Sequence, residues 1–148
     1  MESLMSYHSL GRNRAVGLLL IRVAVGLVFF MHGWSKIHNV SGVEGMMAGF
    51  GLPSATGAFI AWLEVIGGTA MMLGIATRLF ALLFAIEMVV AIYLTGVSAG
   101  YQRHELEIFL ALVSLGIMFT GSGRYSLWAL EHHMHNGEKC KDGKCEMK

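Results

Sequence analysis

A chain of 148 residues has room for one domain, and this one is 55% hydrophobic and only 14% charged, against roughly 25% charged residues in an average soluble domain. Its formal net charge of +1 supplies no electrostatic footprint for nucleic acid or an acidic partner. These totals exclude an ordinary soluble domain and predict a polytopic membrane protein whose principal partner is the lipid bilayer.

The chain opens on a polar segment, residues 1–14, that leads into a long apolar run without a small-residue cleavage site. The first run is therefore expected to be a retained membrane span rather than a signal peptide. It covers about residues 15–34, "AVGLLLIRVAVGLVFFMHGW", and closes on "FFMHGWSKIHN". His32 and Lys36 lie four residues apart and so share a helix face. Trp34 suits an interfacial anchor, and Lys36 suits a side chain that snorkels toward headgroups.

A connection over residues 35–54 follows, ending in "GFGLPSATG". There Gly51 and Pro53 suit a turn, and Ser54 or Thr56 an N-cap. The second span covers about residues 55–75. A short connection carries Arg78, and the third span covers about residues 79–97. The fourth, about residues 106–120, is short for a bilayer core that needs about 20 apolar residues. None of these runs shows the period-two alternation of a barrel strand, and lipid admits only helices or closed barrels. The predicted fold is all-α, a four-transmembrane-helix bundle over residues 15–128. The segment "SLWAL" beyond it is suited to lie along the interface with Trp128 at headgroup level.

Arg12, Arg14, Arg78, Arg124, Lys139, Lys141, Lys144 and Lys148 fall on one side of these spans, with Lys36 and Arg103 on the other. The positive-inside rule places both termini in the cytoplasm, with the chain in the cell's inner (plasma) membrane. Gly17, Gly26, Gly67, Gly68 and Gly74 are candidate sites of close helix approach.

Three spans carry an ionisable residue: Arg22, Glu64 and Glu87. A charge at mid-bilayer costs at least about 3 kcal/mol unless it pairs or reaches water. Counted from the cytoplasmic ends at 1.5 Å per residue, Arg22 lies about 10 Å deep, Glu87 about 12 Å and Glu64 about 16 Å, which predicts one buried cluster. Such a cluster is either a structural clamp or a proton-accepting, ligand-orienting site, with Arg22, Glu64, Glu87 and His32 as its catalytic candidates. A second polar layer holds His32, Lys36, Tyr101, Arg103, His104, Glu105 and Glu107. Glu105 or Glu107 is placed to face Lys36 or His32.

Taken together, "RVAVGLVFFMHGWSKI", "GLPSATGAFIAWLEVIGGTAMMLGIATRLFA", the acidic start of the fourth span and "GSGRYSLW" resemble the DoxX family of small four-helix membrane proteins. Each motif is weak alone, and their order makes the resemblance specific over about residues 15–128. Trp128 departs from the aspartate that many relatives place after "GRYSL". The resemblance implies a membrane subunit of a redox system, linked to quinone or to oxidative-stress and thiol homeostasis, with a protein partner. Quinone-binding candidates are His32, Lys36, Glu64, Tyr101 and Glu105. More distant relatives act in assembly, so a non-enzymatic scaffold is the alternative, and homo-oligomerisation fits either reading.

The last stretch, residues 129–148, lies outside the resemblance. His132, His133, His135, Cys140 and Cys145 supply imidazole and thiolate groups suited to zinc or cuprous copper, which makes a metal-handling protein the third reading. The cysteines flank "KDGK", a wider gap than the common two residues of redox dithiols, so a thioredoxin-like motif is not supported. No dinucleotide fingerprint or haem-attachment motif occurs. Any redox chemistry therefore requires a quinone, a metal or a partner's cofactor.

Overall fold

The computed structural model describes residues 2–96, 102, 104–123 and 126. Among the described residues five helices follow one another: α1 (Glu2–His38), α2 (Val40–Gly49), α3 (Ala55–Leu73), α4 (Thr77–Thr95) and α5 (Glu105–Thr120). No strand occurs among the described residues. Among the described residues three segments are long and apolar enough to cross a membrane, Asn13–His38, Ala55–Leu73 and Thr77–Thr95, and they put the chain in a bilayer. The 16 residues of α5 extend about 24 Å at 1.5 Å per residue, short of a hydrocarbon core about 30 Å thick.

The connection expected over residues 35–54 is mostly helical. The first helix runs on to His38, and α2 fills the interval to Gly49. Its glycines (SGVEGMMAG) disguise the pattern, yet Val43 and Met47 sit four residues apart and are its buried residues, the spacing of a single helix face. The expected turn after it is present: Gly51 takes φ 75°, and Ser54 occupies the N-cap position of α3 without a side-chain hydrogen bond.

Two helix pairs make the bundle. The first helix packs mainly on α3, α4 mainly on α5, and α2 lies against α3. The α1–α3 pair is antiparallel: Gly26 faces Gly68 and Met72, whereas Gly33 faces Ala61, Glu64 and Val65. Glycine permits this spacing. A Cβ on Gly26 would stand 2.7 Å from the Gly68 carbonyl oxygen, and one on Gly68 would stand 2.6 Å from the Gly26 carbonyl oxygen. The α4–α5 pair is also antiparallel, since Arg78 at the start of α4 touches Gly121 and His104 at the start of α5 bonds the Gly96 carbonyl at 3.1 Å.

The pairs are joined across the middle by Phe29 of α1 and Phe84 of α4, whose rings stack with centroids 3.7 Å apart and an interplanar angle of 6°. Met71, Ala81 and Ile117 complete this apolar belt. Gly67 makes room for it, because a Cβ there would reach 2.7 Å from Phe80 and 2.8 Å from Phe84. Of the five glycines expected at close approaches, Gly17 alone has open space, with nothing within 4 Å of an added Cβ.

Gly68→Val should lower the unfolding midpoint in detergent, overpacking by a value typical of such changes, about 1–3 kcal/mol. Gly17→Ala should leave it unchanged or slightly raised, because a methyl there meets nothing and alanine favours helix. Thermal unfolding of both variants followed by circular dichroism checks the pair.

Candidate functional site

Glycine in the α1–α3 seam determines what comes together. Because Gly33 lies against Glu64, with the Glu64 Cβ 2.7 Å from where its own Cβ would be, the carboxylate enters the bundle one turn below Lys36. Side chains on a helix lean toward its N-terminus, so Lys36 reaches back into the bundle. Its ammonium donates a hydrogen bond of 2.7 Å to Glu64 Oε1 and stands 3.8 Å from Glu87 Oε1. One cation on α1 thus faces two carboxylates, on α3 and α4. The Glu64 side chain is 1% exposed and that of Glu87 10%. The second oxygen of each, Oε2, is buried without a hydrogen-bond partner.

Beside this group opens a cavity of about 360 Å³ between α2, α3 and α4. Its walls are almost entirely apolar, with Val43 and Met47 from α2, Phe59 and Leu63 from α3, and Ile86 and Met88 from α4 among them. Lys36 and Glu87 are the charged residues of its lining. An apolar cleft with a few convergent polar groups is the usual form of a small-molecule site, and the volume lies in the lower part of the range for such sites, about 300–1,000 Å³. The arrangement offers an apolar body a place to lie, a hydrogen-bond donor in Lys36, and a carboxyl group in Glu87 with an oxygen to spare.

The single layer expected of Arg22, Glu64 and Glu87 splits in two. Arg22 precedes Gly33 by 11 residues, roughly 16 Å along the helix axis. Its guanidinium donates to the carbonyl oxygens of Ser122 and, at 3.4 Å, of Met72. The depth estimate fails because α1 begins well before residue 15, so Arg22 is level with the C-terminal end of α3 rather than with its middle. Among the described residues, both ion pairs run from Lys36.

His32 is exposed and outside the lining of the cavity. Glu105 is exposed at the start of α5; Glu107 is half-buried with Oε2 unpartnered, and neither forms an ion pair with Lys36 or His32. Trp34 is exposed, and its carbonyl oxygen accepts a 2.9 Å hydrogen bond from the His38 ring. Tyr101, Arg103, Trp128 and the tail candidates His132, His133, His135, Cys140 and Cys145 lie outside the described residues. The residue underestimated by sequence reasoning is Lys36 as the partner of both glutamates. The signal was available in its position one turn beyond His32 and in the N-terminal lean of helical side chains.

Lys36→Met leaves two buried carboxylates without their cation and should destabilise the protein by about 3–5 kcal/mol, the range for breaking a buried pair. Adding Glu64→Gln to that variant should restore part of the loss. Chemical unfolding of the single and double variants in mild detergent measures both.

Comparison with known proteins identifies a family. The DoxX family profile matches residues 17–97, more than half of the 148-residue chain. A protein of Bacillus subtilis strain 168 named "Putative oxidoreductase CatD" is 34% identical over 131 residues, covering 88% of this chain and 96% of its own length. Inner membrane protein YqjF of Escherichia coli K12 is 30% identical over 118 residues, 76% of this chain and 89% of the relative. A Mycobacterium tuberculosis H37Rv protein named "Uncharacterized membrane protein Rv3486" is 34% identical over 131 residues, 74% of this chain and 78% of the relative. No solved structure matches the chain. With the order of its motifs, its helical architecture and this match in agreement, the chain belongs to the DoxX family.

Proposed function

We propose that this protein is the membrane subunit of a redox system and holds a quinone in the cavity between α2, α3 and α4. One observation carries the reading: an apolar cavity of about 360 Å³ has a lysine ammonium and a buried carboxyl as the charged groups of its wall. That donor set fits the head of an isoprenoid quinone, a flat apolar ring with hydrogen-bond-accepting oxygens on its edge. Support also comes from the word oxidoreductase in the name of the Bacillus subtilis relative. A bound quinone would supply two-electron, two-proton chemistry, with the electrons coming from a partner protein.

The chain's own residues then divide the work. Lys36 donates a hydrogen bond toward the cavity while its pairing with Glu64 holds it in place. Glu87, which lines the cavity with Oε2 unpartnered, holds a proton or accepts one. Glu64, the most buried of the three, keeps the ammonium charged and oriented.

In this reading α5, though short, completes a four-helix transmembrane bundle. Both termini face the cytoplasm of a cell whose inner membrane holds the protein. The positive-inside distribution supports that orientation, and the name of the Escherichia coli relative supports that membrane. Residues 1–14 and 129–148 flank the DoxX-like domain.

Extraction and mass spectrometry of protein purified in mild detergent with its native lipids tests the proposal. Isoprenoid quinone should be near-stoichiometric in the wild type and should fall at least fivefold in Lys36→Met and Glu87→Gln. Quinone no more abundant than in an unrelated membrane protein prepared alongside would sink the redox reading in favour of an assembly role.

A further inference from the structure

The opposite end of the bundle carries a second polar site that the quinone reading does not use. A cavity of about 480 Å³ lies where α3 ends, α4 begins and α5 ends, lined by residues that include Gly74, Thr77, Arg78, Thr120, Gly121 and Ser122. We propose that this cavity binds a phosphate group, carried by an anionic lipid headgroup or present as the free ion.

Four features converge there. First, Thr77 and Arg78 open α4, a helix of 19 residues, and both line the cavity, while the next N–H, that of Leu79, already donates to the Ala76 carbonyl oxygen at 2.9 Å. The opening N–H groups of a helix have no acceptor within it and carry the positive end of its dipole. Second, Thr77 is a lining residue that is 2% exposed, and its buried hydroxyl oxygen has no hydrogen-bond partner, an orphaned polar group at the cavity wall. Third, Arg78 forms no ion pair among the described residues. Its guanidinium is laid over the loop after α5: Gly121 has φ 79°, and a Cβ there would come 3.0 Å from Arg78 Nε and 3.1 Å from Nη2. The loop is shaped around the arginine, which favours one fixed orientation of a planar fork suited to phosphate. Fourth, the described lining contains no carboxylate, and the buried Arg22 guanidinium stands behind the same wall, donating to the Ser122 carbonyl oxygen.

Position matches the ligand. Three helix termini meet at this level, where the span Ala55–Leu73 ends and the span Thr77–Thr95 begins, the depth expected of bilayer phosphates. Basic pockets between membrane helices commonly hold anionic headgroups.

The test is a set of thermal melts on delipidated full-length protein in a neutral detergent, with phosphatidylglycerol, inorganic phosphate or chloride added at equal ionic strength. Phosphatidylglycerol or inorganic phosphate should raise the melting temperature saturably, and chloride should not. A response to phosphatidylglycerol alone assigns the site to a lipid headgroup; a response to inorganic phosphate of equal apparent affinity assigns it to the free ion. Arg78→Gln should weaken the apparent affinity about tenfold, the scale for loss of one charge-assisted hydrogen bond. Thr77→Val, which keeps the shape of the side chain, should weaken it in the same direction by less. Neither ligand acting beyond chloride, or equal responses from wild type and both variants, would overturn the proposal. Quinone content should be unaffected by either substitution, which separates this site from the cavity at Lys36.

Discussion

Everything at the upper end of the bundle depends on one lysine serving two glutamates. Lys36, Glu64 and Glu87 come from three different helices, and each lies within a segment apolar enough to cross a membrane. Charges in such surroundings persist only when paired or watered, so the ammonium ties α1, α3 and α4 into one register. The tie requires the backbones of α1 and α3 to approach closely enough that Gly26 and Gly68 leave no room for a Cβ on either. Had that seam been wider, Glu64 would have stood beyond the reach of Lys36. Glycine spacing and charge pairing are thus a single constraint expressed in two kinds of residue.

Below the lysine group, the stack of Phe29 on Phe84 and the packing of Met71, Ala81 and Ile117 form a dry layer. Arg22 lies on the far side of it. Its hydrogen bonds to the carbonyl oxygens of Met72 and Ser122 fasten the C-terminal end of α3 and the loop after α5 to α1. The turn between α3 and α4 reverses the chain in three residues, with Gly74 at φ 79° and Ala76 at φ 45°. A Cβ on Gly74 would stand 2.9 Å from an Arg22 nitrogen and 2.6 Å from Ser126, so this corner is packed around the guanidinium as the other end is packed around the ammonium. Two cations, one at each margin of an apolar belt, organise the bundle.

Much of this was legible in the sequence, and the rest was hidden for physical reasons. Apolar runs and their order gave the helices at residues 55–75 and 79–97 to within a few positions, and the glycines at 26, 67, 68 and 74 proved to be points of close approach. Helix α2 was missed because four of its ten residues are Gly or Ala, which look like a loop unless Val43 and Met47 are read as one face. The charged cluster was identified by its carboxylates, but Arg22 was given the place of Lys36. Depth counted from a span boundary is unreliable when a helix extends past it, whereas the lean of side chains toward the helix N-terminus predicts correctly that Lys36 points inward. Tyr101 and the tail histidines and cysteines fall outside the described residues, so their chemistry rests on the sequence alone.

The charge count of the cluster is more than a clamp requires. A lysine paired with one glutamate would be neutral and would suffice to hold helices together. A second carboxylate adds one negative charge in a medium that tolerates none, unless a proton or a cation accompanies it. Two orphaned oxygens, one on each glutamate, are a further departure from what a purely structural pair requires, since buried polar atoms are ordinarily satisfied. Glu87 brings α4 into the tie, but a hydrophobic residue of similar size can often hold a helix as well by packing. Its position on the cavity wall is what the proposed quinone site rests on, since a quinone held there needs a group that gains and loses a proton.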